Sequence, residues 1–251
     1  MIIRESEEAF VMTTQDDHAH FSEEVARGFR EEWFLDGKYK DDCLLAIQEH
    51  DRSWIRLDAM PIWNDRSNVP FSFIDYPVLP KLVLYQIGVD ETEEMSRYAA
   101  MLCSMHYASF FQSDQDSRQE AELAFYQREL ARQDRLKEKL NYPDEQIIAR
   151  HFQLLQLCDD ISLYVCMNPE GVSKEEEHPW FRKGFSSLVD GQKFSAVWIS
   201  DHEVRLTPQL FAQEWTAVLR TKHVPKKRIK EVGVHEAYQE SGWTELKVTF
   251  V

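Results

Sequence analysis

The sequence predicts a mainly α-helical chain with a small β-rich subdomain formed by its N- and C-terminal segments. Three observations predict it. Apolar residues recur at helical spacing between residues 13 and 170, and these stretches are bounded by cap and proline signals. Short β-like runs separated by turn residues are confined to the two ends. The expected division is 13–170 for the helical domain and 171–251, with 1–12, for the β-rich part.

Residues 1–12 alternate charge with apolar pairs and predict one or two short strands. From Asp16 to about Phe34, Phe21, Val25, Phe29 and Trp33 repeat every fourth residue, which predicts a helix. A second helix is expected over about Lys40–His50. Pro61, Pro70, Pro77 and Pro80 then break the stretch from Trp54 to Leu82, which reads as a long loop or lid. Helices are expected again at about Thr92–Phe111 and at Ser117–Leu140, the latter opening on a Ser117–Glu120 capping box. Another starts at Pro143, where proline suits a first turn, and runs to about Cys166. Beyond Gly171, the runs Phe194–Ile199, Glu203–Leu206 and Thr244–Val251 and the turn Asp190-Gly191 predict strands.

At 251 residues, 43% hydrophobic, the chain can bury a substantial core. Its 29 basic and 44 acidic side chains leave a formal charge of −15, which repels phosphate backbones and disfavours nucleic-acid partners. A small anionic ligand would need a local positive centre, which a metal ion can supply. No run of about 18 apolar residues exists, so no membrane span is expected. The start MIIRESEEAF lacks signal-peptide features. Cys43, Cys103, Cys158 and Cys166 form no C-x-x-C pair and read as reduced, buried thiols of a cytoplasmic protein.

Helical periodicity sorts the polar residues into inward and outward sets. At about 100° per residue, His18 falls beside Ser22, Val25 and Phe29, whereas His20 points away. Asp159 lies on the stripe of Ile148, Phe152, Leu155 and Ser162, and Asp160 falls outside it. A carboxylate on an apolar face is costly unless paired or metal-bound. His106 sits among Met95, Ala99, Leu102 and Phe110, and Asp51 shares a face with Leu44 and Ile47. Each inward histidine alone could equally be a satisfied core residue, and each aspartate a cap or ion pair. Together, two imidazoles and two carboxylates form a mixed N/O set suited to Mn, Fe, Ni or Mg with open positions.

The order His18, His50-Asp51, then Asp159 resembles the H…HD…D signature of the HD superfamily of helical metal-dependent phosphohydrolases. Thr14–Ala19, His50–Trp54, Ser104-Met105-His106 and Leu154–Leu163 resemble more closely a bacterial family of unknown function with an HD-like fold. The likeness covers most of residues 10–170. It implies an HD-like helical bundle in which His18, His50, Asp51 and Asp159 hold one divalent metal ion. It further implies attack on a phosphate ester, perhaps of a nucleotide, with Asp51 and His106 in catalytic roles. Arg52-Ser53-Trp54 replace the acidic pair that follows the HD in guanosine-tetraphosphate hydrolases, which argues against that chemistry. The alternatives are a non-catalytic metal- or ligand-binding module with a sensing or scaffold role, and an iron oxygenase.

Lesser features stay open. His151 shares the broad face of Asp159 and is a weak extra ligand candidate. Trp54, Asp58, Trp63 and Asp75 either roof the pocket or fill the core. Arg52 fits a phosphate contact or a surface ion pair. Arg220–Lys230 reads as a positive patch or a solvated turn, and Glu175–Glu177 as solvated.

Overall fold

The computed structural model describes residues 1–35, 37–112 and 119–251. The first helix, α1 (Gln15–Arg27), starts where the Thr14 hydroxyl accepts the Asp17 N–H at 2.9 Å, and Asp16 and Asp17 complement the helix dipole. It ends at Gly28, where any Cβ would overlap the Trp215 indole, and a separate single turn covers Glu31–Phe34. The apolar repeat therefore continues to Trp33 although the helix does not.

The next helices are α2 (Lys40–Glu49), α3 (Ile55–Asp58), α4 (Val78–Met95) and α5 (Arg97–Ser109). Sequence reading starts a helix at Thr92, but α4 begins at Val78. Pro80 lies in its first turn, where a missing N–H breaks no intrahelical bond. Ser96 separates α4 from α5, its hydroxyl accepting the Ala99 N–H and donating to Asp42. The expected Ser117 cap lies outside the described residues. Gln119 and Glu122 supply a reciprocal capping box for α6 (Glu120–Lys139), and α7 spans Glu145–Met167. Two short helices, α8 (Lys226–Val232) and α9 (Val234–Glu240), come late in the chain.

The expected mainly α class is corrected by a six-stranded sheet, which makes the fold mixed α/β. The strands are β1 (Ile2–Glu5), β2 (Ala9–Thr13), β3 (Trp63–Asn64), β4 (Val69–Pro70), β5 (Leu188–Val189), β6 (Gln192–Lys193), β7 (Ser195–Ser200), β8 (Glu203–Thr207), β9 (Trp215–Pro225) and β10 (Trp243–Phe250). The large sheet has the order β1-β2-β9-β10-β8-β7, and only β10 and β8 run parallel. The other four strands form two small hairpins, β3-β4 and β5-β6.

The eleven-residue strand β9 joins the N-terminal hairpin to β10, although its charged half reads as a solvated patch. Ala217, Leu219 and Thr221 point inward, and even Lys222 is buried, its ammonium donating to the Tyr238 carbonyl. The sheet shares its core with the helices. Phe21 and Val25 of α1, Leu154 of α7, Leu219 of β9 and Phe250 of β10 belong to one hydrophobic cluster.

One further expectation changes. Glu177 is fully buried and accepts from the Tyr164 hydroxyl at 2.9 Å, so it anchors the chain after α7 instead of facing solvent. The four cysteines are buried and free. No helix among the described residues is long and apolar enough to cross a membrane.

Gly88 lets α4 press against the turn that follows α2. A Cβ there would lie 2.8 Å from the Ser53 backbone nitrogen. Gly88→Ala is therefore expected to destabilise the fold by about 1–3 kcal/mol despite the better helix propensity of alanine. Urea unfolding checks this, and an unchanged or raised midpoint would show that the helix yields freely.

Candidate metal centre

Four helices converge on one point. His18 comes from the second turn of α1, His50 closes α2, Asp51 follows it, His106 lies on α5 and Asp159 on α7. His18 and His50 are fully buried, and Asp51 and His106 nearly so. The His18 Nε2 lies 3.2 Å from the His50 Nε2 and 3.0 Å from Asp159 Oδ1. Asp159 Oδ1 lies 3.6 Å from His50 Nε2, and Asp51 Oδ2 lies 3.8 Å from His50 and 3.9 Å from His18. The His106 Nε2 faces Asp159 Oδ2 at 3.9 Å.

The hydrogen bonds behind these rings fix which nitrogen carries the proton. His50 Nδ1–H donates to the Ile47 carbonyl at 2.7 Å. His18 Nδ1–H donates to Ser162 Oγ at 2.6 Å, because the Ser162 hydroxyl spends its own hydrogen on the His18 carbonyl. With both rings neutral, the two Nε2 lone pairs would face each other across 3.2 Å, an arrangement that a proton or a shared metal ion relieves.

The electrostatics agree. Burial pushes the His50 pKa down, but Asp51 and then Asp159 outweigh it and push it up to about 9. Asp159 resists burial through its contacts with His18 and His50 and stays far below the usual carboxylate range. Burial raises Asp51 and pushes His106 down to about 3, so His106 is neutral.

The donor set fits a divalent ion. Ligands about 2.1 Å from a common ion and at right angles stand about 3.0 Å apart, and wider angles give longer spans. The observed spans run from 3.0 to 3.9 Å. Two overlapping triads, His18–His50–Asp51 and His50–His106–Asp159, each gather their ligand atoms closely enough to hold one. Behind the ligands, Gln15 Nε2 donates to Asp51 Oδ2 at 2.7 Å, which orients that carboxylate. Among the described residues, two buried polar atoms remain without a partner here, Gln15 Oε1 and His106 Nδ1.

Sequence reasoning assigned no role to Gln15, yet it lies three residues before His18 and so shares its inward face. The other candidates separate. His20 is exposed and bonds to the Asp16 carbonyl. His151 lies away from the centre, between the Tyr98 hydroxyl and the Phe34 carbonyl. Arg52 pairs with Glu49 and Glu91, and is occupied by them. Asp58 accepts from the Met1 and Gln15 nitrogens, and Asp75 from Asn64 and Ser72. Of that segment's four singled-out residues, Trp54 alone lines the cavity at the centre. Asp160 lines it too and is tied down by the Ser187 N–H at 2.9 Å.

Fold and site together define a mixed α/β protein with a buried His/Asp centre able to hold a metal ion. The chain belongs to the family described as protein of unknown function DUF3891, whose profile matches residues 1–226. Neither a curated protein nor a solved structure matches it.

A pH effect follows from the shared proton. Below about pH 9 the metal-free centre holds a proton on His50, and a metal ion must displace it. Binding of Mn²⁺ at pH 7 should release about one proton, and apparent affinity should fall as pH drops. Calorimetry in two buffers of different ionisation enthalpy measures this, and zero release would show that His50 carries no proton in the metal-free centre.

Proposed function

We propose that the chain is a metal-dependent phosphohydrolase acting on a small phosphate ester. One observation carries this reading: the convergent His/Asp cluster forms part of the wall of a cavity of about 410 Å³, reached through Asp51, His106 and Asp159. A structural metal site is normally closed by its ligands, whereas a catalytic one keeps an open side. The order of His18, His50-Asp51 and Asp159, with its likeness to the HD superfamily, supports the same chemistry. The mixed N/O set favours Mn, Fe or Ni over Mg, because imidazole is a poor partner for Mg²⁺. A divalent ion bound there would acidify a water and draw charge from the phosphoryl oxygens.

The chain's own residues would do the rest. Asp51, oriented by Gln15, can accept a proton from the attacking water. The unpartnered Gln15 Oε1 can take a second hydrogen bond from the same water. His106 is neutral, so its N–H can donate to a phosphoryl oxygen without titrating near neutral pH. Phe110 packs edge-on against the His106 ring at 4.8 Å and limits its rotation.

With Mn²⁺ or Fe²⁺ supplied, the protein should hydrolyse members of a phosphate-ester panel. His106→Ala should lower kcat about 10²- to 10⁴-fold while metal content is kept. Steady-state kinetics and elemental analysis read the two quantities. A metal-loaded wild type inert across monoesters and diesters would contradict the hydrolase reading and favour a binding module.

A further inference from the structure

The cavity beside the metal centre has a composition that restricts its ligand. Trp54 and Tyr85 form a buried wall, and Phe73, Phe110, Phe111 and Trp180 complete it. Trp180 is 51% exposed and Phe110 52%, so two large aromatic faces stand at a cavity mouth in contact with water. Such apolar exposure around a concave site marks a surface that binds something apolar. Trp180 meets Phe73 edge-on at 6.3 Å, which joins the segment after α7 to the one before α4 across the opening. The rings stand ready to enclose another ring.

The charges restrict the other half of the ligand. Three carboxylates, Asp51, Asp159 and Asp160, face the cavity, with Lys81 as its one cationic side chain among the described residues. Lys81 Nζ donates to the Phe73 carbonyl at 3.0 Å and keeps further hydrogens for an anion. A divalent ion and Lys81 together only balance the three carboxylates. Among the described residues no arginine lines the cavity, and Arg52 is held by Glu49 and Glu91. Among the described residues a polyphosphate chain would find no bidentate partner, and it would leave several charges uncompensated.

Resting on the phosphohydrolase reading, we infer that the substrate is a phosphate ester with a single phosphoryl group and an apolar aromatic ring, taken in preference to nucleoside di- or triphosphates. The ring lies between Trp180, Phe73 and Trp54, and the phosphoryl group lies against the His/Asp centre. Trp180 is thereby a specificity-determining residue.

Binding tests this without turnover. The full chain, kept saturated with Mn²⁺, is titrated with phenylphosphonate, methylphosphonate, benzyl alcohol and ADP while tryptophan fluorescence and heat are followed. Phenylphosphonate should bind at least about tenfold more tightly than each of the other three. Trp180→Ala should remove most of the advantage over methylphosphonate, with Mn²⁺ affinity unchanged, and Trp180→Phe should restore it. Because Trp180 is half exposed, its loss leaves the core intact.

Equal affinity for the two phosphonates would overturn the ring assignment and leave the phosphate reading standing. Benzyl alcohol binding as tightly as phenylphosphonate would overturn the phosphate half, and with it the hydrolase reading, while the ring site survives. ADP binding more tightly than phenylphosphonate, or Trp180→Ala with no effect, would also overturn the proposal.

Discussion

Two imidazole lone pairs aimed at each other across 3.2 Å form the contact on which the site depends. Each ring already uses its Nδ1–H on a partner behind it, so with both rings neutral neither Nε2 carries a hydrogen to give the other. Bringing them together has a cost that a proton or a metal ion offsets. Asp51 and Asp159 make that cation welcome, which is why His50 takes up a proton so readily when nothing else is there.

The rest of the molecule holds that contact in place. Ser162 ties α7 to α1 through both the ring and the carbonyl of His18. Gly88 allows α4 to close on the Ser53 backbone just beyond Asp51, and the Ser53 hydroxyl meets the Tyr107 hydroxyl at 2.7 Å on the far side. The sheet backs α1 from the other direction. Glu24 of α1 accepts the Val218 N–H at 2.7 Å, and its carbonyl accepts the Trp215 indole N–H at the same distance. A change in β9 therefore reaches His18 through one helix. Rigid support of this kind is what a site needs when its geometry must hold to fractions of an ångström.

Which parts of this were legible in the sequence follows from how local each determinant is. A helix fixes side-chain direction by residue number alone, so the inward faces of His18, His106 and Asp159, and the outward face of His20, could be read directly. Gln15 carried the same signal and was passed over. The α/β class was not legible, because the sheet depends on pairing β2 with β9 more than two hundred residues later. Within β9, Arg220, Lys222 and His223 dominate the composition, and composition conceals that Lys222 buries its stem and cages its ammonium between Tyr238 and Trp243. The start of α4 was hidden by Pro77 and Pro80, which read as breakers but occupy positions where a helix needs no N–H. Glu177 was hidden by its neighbours, since one residue of an acidic run is buried while Glu175 and Glu176 stay exposed.

The central claim is that His18 and His50 share one metal ion. Elemental analysis of the chain, purified without chelators or nickel resin, tests it most directly when paired with His50→Ala. About one ion per chain in wild type is predicted, falling to near zero in the variant while circular dichroism shows the same helix content. No metal in wild type after incubation with Mn²⁺, Fe²⁺ or Ni²⁺, or full occupancy retained by the variant, would contradict it.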